Sequence, residues 1–171
     1  MNYICVLSLA GINDSRAIRT IKSMTSENVI IDYFFIGNEI DELNSLVNDK
    51  INLYPIKSPN LSIQRKIINH SLVYLASDFL ISKVKAIRKS YDIIYAHDLP
   101  TSYAAYKLRT KATKIIYDVH DLYIETLNQH FPSEVSFLKK IVFKTLLIQM
   151  RIFSKLWERK FIRSVDLVLT T

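Results

Sequence analysis

Two His-Asp pairs, His97-Asp98 and His120-Asp121, each stand directly after a run of apolar residues. Imidazole beside carboxylate equips a site for proton transfer, for donation to a hydroxyl, or for metal ligation. His120 at such a position can donate to a substrate hydroxyl or offset a developing charge. Asp121 or Glu125 can take a proton from an acceptor hydroxyl. Asp98 precedes Pro100 by two positions and reads mainly as the cap of a helix with proline in its first turn. His97 either bonds a neighbouring loop or faces a cleft. No metal is expected, because these side chains lie on different strand ends without helical ligand spacing. Arg16 and Arg19, at i and i+3 after the loop Gly11-Ile12-Asn13-Asp14-Ser15, share a helix face. Beside a helix N-terminus they form a cradle for phosphate or carboxylate, unless they pair with surface carboxylates.

The elements that must position these groups alternate. Strands are expected over Tyr3–Leu9, Val29–Ile36, Ile51–Ile56, Asp92–Ala96, Lys114–Val119 and Val165–Thr170, from continuous apolar, β-branched and aromatic text. Helices are expected over Arg16–Thr25, Glu39–Asn48, Ser62–Arg88, Ser102–Arg109 and Glu134–Arg163. Asn13, Asp14 or Ser15 can cap the first of them. The alternation predicts an α/β fold: a Rossmann-like, doubly wound parallel sheet with helices on both faces. Both His-Asp pairs then fall at the carboxyl ends of strands, the edge where open parallel sheets bind ligands. Tyr95, Tyr103, Tyr106, Tyr117 and Tyr123 could stack on a sugar or base but read more simply as core and sheet-face residues.

Composition narrows the function classes. The chain has 171 residues, is 49% hydrophobic and carries two glycines and one cysteine. That length supports one domain with a sizeable core, residues 1–171. A dinucleotide fingerprint or a P-loop needs several glycines for close backbone approach to phosphates, and Gly11 and Gly37 cannot supply them. The lone Cys5 excludes a disulfide framework and a thiolate metal site, and a reducing, cytoplasmic setting follows. The apolar start, Tyr3–Ala10, lacks the basic flank of a signal peptide and reads as a first strand.

The formal net charge is +7, concentrated over residues 134–163 in Lys139, Lys140, Lys144, Arg151, Lys155, Arg159, Lys160 and Arg163. An anionic partner fits this balance, a membrane surface or a phosphorylated substrate ahead of nucleic acid. The helix expected there also carries Phe137, Leu138, Ile141, Leu147, Ile152 and Trp157. Its apolar side is expected to pack on the sheet while the lysines reach water. The competing reading lays it on an anionic bilayer at the inner membrane face.

Together, YDIIYAHDLPTSYAAYKL and KIIYDVHDLYIE resemble the amino-terminal domain of glycosyltransferase family 4-type enzymes, which have the two-Rossmann-domain GT-B fold. Asn13 to Arg19 is similar to that family's Asp-x-Arg-Val-x-Arg helix start, and Glu158 to Thr170 to the text before its crossover into the second domain. The resemblance implies retaining transfer of a sugar from a nucleotide-sugar to a glycan or lipid-linked acceptor. It implies that this domain holds mainly the acceptor and a carboxyl-terminal domain, absent from the chain, holds the nucleotide. By position, His120 is the catalytic residue near the donor sugar, and Gly11 approaches the donor phosphates. Asn13, Arg16, Arg19, His97, Asp98, Asp121 and Glu125 are the further substrate-binding positions. Neither metal nor other cofactor is implied. The first loop departs from the family in lacking a glycine pair. The chain ends with its last strand, so a donor half in cis or on a separate chain is expected. The alternative is a non-catalytic carbohydrate- or membrane-binding subunit that partners such a chain.

Overall fold

Six short runs of apolar residues line up as parallel strands because their backbones can be paired on both sides while helices cover both faces. The structure is a computed structural model and describes residues 1–9, 15–26, 28–36, 49–56, 77–119 and 137–170. Its strands are β1 (Asn2–Leu7), β2 (Val29–Ile36), β3 (Ile51–Ile56), β4 (Ile93–His97), β5 (Lys114–Val119) and β6 (Leu167–Thr170). Its helices are α1 (Ser15–Met24), α2 (Ser77–Ile87), α3 (Asp98–Leu108) and α4 (Phe137–Ile162). The sheet order is β3-β2-β1-β4-β5-β6, and every pairing is parallel. This is a Rossmann-like α/β fold, as the alternation of elements predicts. The order reverses between β1 and β4, so the switch-point crevice opens at their carboxyl ends.

Alternation of side chains along each strand divides the core in two. Ile4, Val6, Ile31, Tyr33, Phe35 and Tyr95 face α1, which buries Ala17 and Ile21 against them. Cys5, Leu7, Phe34, Ile94, Ala96 and Tyr117 face the other way, against Leu80 and Val84 of α2, Leu99 and Ala105 of α3, and Trp157 and Phe161 of α4. Helices thus lie on both faces. Cys5 is a free, fully buried thiol, and burial followed by the nearby Asp32 charge pushes its pKa well up.

One buried carboxylate on the second face gathers several partners. The Asp32 carboxylate accepts Asn52 Nδ2 at 2.8 Å and the Tyr91 hydroxyl at 2.8 Å. Arg88 Nε stands 3.5 Å from it, and the Arg88 guanidinium carbon lies 3.5 Å from the centre of the Tyr3 ring. The cluster fastens the end of α2 across β1, β2 and β3. Burial, then the neighbouring Cys5 and Asp32, push the Tyr91 phenol far up.

Boundaries differ from expectation where side chains bond the backbone. Asp92, expected inside the fourth strand, precedes it, and its Oδ2 accepts the Tyr3 N–H at 2.7 Å. Asp166 stands likewise before β6, and its Oδ2 accepts the Ile115 N–H at 2.9 Å. The helix expected over Ser102–Arg109 begins at Asp98 instead. Leu99 is buried, and the Thr101 hydroxyl donates to the His97 carbonyl at 2.9 Å. These contacts extend the helix one turn back to the strand end. The helix expected over Glu39–Asn48 and the first part of Ser62–Arg88 lie outside the described residues.

Candidate functional site

The carboxyl end of β4 delivers the first His-Asp pair to the switch-point crevice. His97 is the last residue of β4 and pairs across the ladder with Asp118 of β5. The two side chains therefore stand side by side on the α1 face of the sheet. His97 Nε2 is 3.6 Å from Asp118 Oδ2, and the same oxygen accepts the Tyr95 hydroxyl at 2.7 Å. The Tyr95 and His97 rings meet edge to face with centroids 5.9 Å apart. All three residues are buried. This geometry holds the imidazole with one nitrogen turned toward a carboxylate.

Asp98 does something other than capping. The N-cap position belongs to His97, whose backbone is extended and whose side chain makes no cap hydrogen bond. Asp98 is the first helical residue and has φ of 60°, the only positive φ at a non-glycine position among the described residues. The left-handed region costs a residue with a Cβ free energy, and aspartate tolerates it better than most. The turn it makes lets the chain pass from strand to helix without a loop, and it leaves the carboxylate half-buried at the sheet edge. Its charge in the first turn also suits the helix N-terminus. Pro100 lies in that first turn, as expected, where its missing N–H has no helical partner to lose.

Behind this edge the Tyr117 phenol reaches Glu158 of α4 at 3.2 Å. Burial foremost, then Glu158, Asp98 and Asp118, push its pKa far up, so it stays a neutral donor. Trp157 Nε1 donates to the Ser102 hydroxyl at 2.6 Å, and that hydroxyl donates to the Leu99 carbonyl at 2.6 Å. These bonds fix the start of α3, and Asp98 with it, against α4.

Helix α1 begins after β1 and so starts at the same carboxyl edge. Arg16 is half-buried in its first turn. Arg19 is exposed one turn on, where its Nε donates to the Ser15 carbonyl at 3.3 Å within the helix. The two arginines are thus not equivalent: Arg16 stands nearer the edge and is the more buried of the two. Gly11, Asn13, His120, Asp121 and Glu125 lie outside the described residues. β5 ends at Val119, directly before His120. No cluster of three or more metal-ligating side chains occurs among the described residues.

Two members of the site escaped the sequence reading. Tyr95 is core, as expected, yet its hydroxyl also serves Asp118. Asp118 looked like one more strand residue, although a lone carboxylate inside an apolar, doubly covered strand is itself a signal of a buried partner. The chain matches no protein-family model and none of the curated proteins.

Proposed function

We propose that the chain is the acceptor-side domain of a retaining glycosyltransferase, working with a donor-binding Rossmann half in cis or on a separate chain. The observation that carries the reading is the strained strand-to-helix turn at the β1–β4 switch point, with His97 held against Asp118 and Asp98 set at φ of 60°. Strain of this kind persists where surrounding structure over-determines it, and it concentrates at functional sites. The ordered text from Asn13 to Thr170 gives the site its chemistry.

In the proposed reaction the acceptor oxygen bonds to the anomeric carbon as the bond from that carbon to the nucleotide diphosphate breaks. The acceptor proton passes to Asp121 or Glu125, or to the departing phosphate. His120 donates to a hydroxyl of the donor sugar and holds it in place, while Asp98 and Arg16 bind the acceptor and anionic groups at the edge. The donor half supplies the cations that take up the diphosphate charge, which is the larger part of such catalysis. In this reading the protein works on the cytoplasmic side of a membrane; no helix of the described residues is long and apolar enough to cross one.

His120→Ala in the complete enzyme tests the assignment. Sugar transfer from a labelled nucleotide-sugar should fall about 100-fold or more, with an unchanged circular dichroism spectrum. Near-normal transfer would remove His120 from the site.

A further inference from the structure

We propose that the outward face of α4 seats the protein on an anionic phospholipid surface, an inference that stands whether or not the glycosyltransferase reading does. The described side chains of the helix include a buried set and an exposed one. Ser154, Trp157 and Phe161 are buried against α3 and the sheet. On the opposite arc stand Ile141, Ile148, Ile152 and Leu156, at i, i+7, i+11 and i+15, which is one line along a helix of 3.6 residues per turn. Ile148, Ile152 and Leu156 are 57%, 54% and 59% exposed, and Phe153, 55% exposed, widens the stripe on one flank. The expectation that the apolar side packs on the sheet therefore holds for Trp157 and fails for Ile141 and Ile152. The helix is apolar on two sides, and the sheet covers only one.

Charge selects the occupant. Lys144 and Lys155 are exposed along the other flank of the stripe, and exposed Arg159 continues its line toward the helix end, followed by Arg163. The sole carboxylate between Phe137 and Ile162 is Glu158, and it is turned away toward Tyr117. The outward face thus presents large apolar side chains and cations with no anion among them. An anionic bilayer satisfies both: the headgroup–acyl boundary takes Ile148, Ile152, Phe153 and Leu156, and lipid phosphates take Lys144, Lys155 and Arg159. A second copy of the face would cover the apolar stripe but oppose like charges. A soluble phosphate would meet only the cations.

Cosedimentation of the protein with phosphatidylcholine–phosphatidylglycerol vesicles, beside phosphatidylcholine alone, reads the partition. Binding should require the anionic lipid and weaken at high salt. Ile152→Glu with Leu156→Glu, and separately Lys144→Glu with Lys155→Glu, should each lower it at least about tenfold. Circular dichroism should stay as in the wild type, because these side chains are exposed. No binding of the wild type, equal binding to neutral vesicles, or binding unmoved by either double variant overturns the proposal. So does release by millimolar inorganic phosphate without any effect of Ile152→Glu with Leu156→Glu, which assigns the cations to a free anion. A dimer in light scattering that the same double variant disperses, with no vesicle binding, assigns the face to a second copy and overturns it too.

Discussion

Asp118 stands between Tyr95 and His97. One carboxylate oxygen takes the Tyr95 hydroxyl at 2.7 Å and faces the imidazole at 3.6 Å. Both partners are buried, so removing the carboxylate takes a hydrogen-bond acceptor from the Tyr95 hydroxyl inside the fold. Asp118→Ala should lower stability by about 1–3 kcal/mol, read from the urea midpoint. An unchanged midpoint would mean that His97 and Tyr95 find other partners. Asp98 gives a second residue-scale test. Asp98→Gly relieves the cost of a positive φ and should leave stability unchanged or raise it by up to about 1 kcal/mol, whereas Asp98→Ala should lower it by a similar amount. Thermal unfolding separates the two, and equal effects would deny the strain. The His-Asp text at this edge was legible from residue order. Its real pairing, His97 with Asp118 on the next strand, was not, because ladder register is a tertiary fact that local text does not carry.

Among the elements, α3 shows where local reading stops. Its sequence, DLPTSYAAYKL, places Pro100 and two hydroxyl residues before the alanines, and such residues discourage a helix interior. In the folded protein the Thr101 and Ser102 hydroxyls return to carbonyls one turn back, and Trp157 anchors Ser102. Tertiary contact therefore moves the helix start from Ser102 to Asp98. The anchor itself is open to test. Trp157 also stacks on Phe161 with centroids 6.0 Å apart. Trp157→Ala should cost about 3–5 kcal/mol and loosen α4 from α3, visible as lost hydrogen-exchange protection over Asp98–Leu108. Strand starts follow a different device. Asp92 and Asp166 each take a backbone N–H of the adjoining strand, Tyr3 and Ile115 respectively. The Ile115 N–H first, then Lys114 and Arg109, hold the Asp166 carboxyl below its ordinary value. Its stabilisation is therefore full above the unfolded carboxyl value of about 3.9 and is lost as pH falls through the lower folded value. Urea midpoints of wild type and Asp166→Asn should differ at neutral pH and converge in acid. A gap constant with pH would show that the ionised carboxylate is not what matters.

At the scale of the whole molecule, alternating apolar runs made the Rossmann-like sheet readable, since each covered strand needs helices on both faces. The order β3-β2-β1-β4-β5-β6 then puts the switch point, the edge where sheets of this kind bind ligands, beside His97 and Asp98. The direction of α4 was readable only in part. Its text is apolar around most of its circumference, and packing alone chose Trp157 and Phe161 for the inside. On the proposed reading, one end of the sheet serves sugar chemistry and the outer side of α4 serves a membrane that carries the acceptor. The most direct test of the central claim is the anomeric configuration of the product. Proton NMR of the glycoside made by the complete enzyme from an α-linked nucleotide-sugar should show an α linkage. A β-linked product, or no transfer from any nucleotide-sugar supplied with the donor half present, would contradict the assignment.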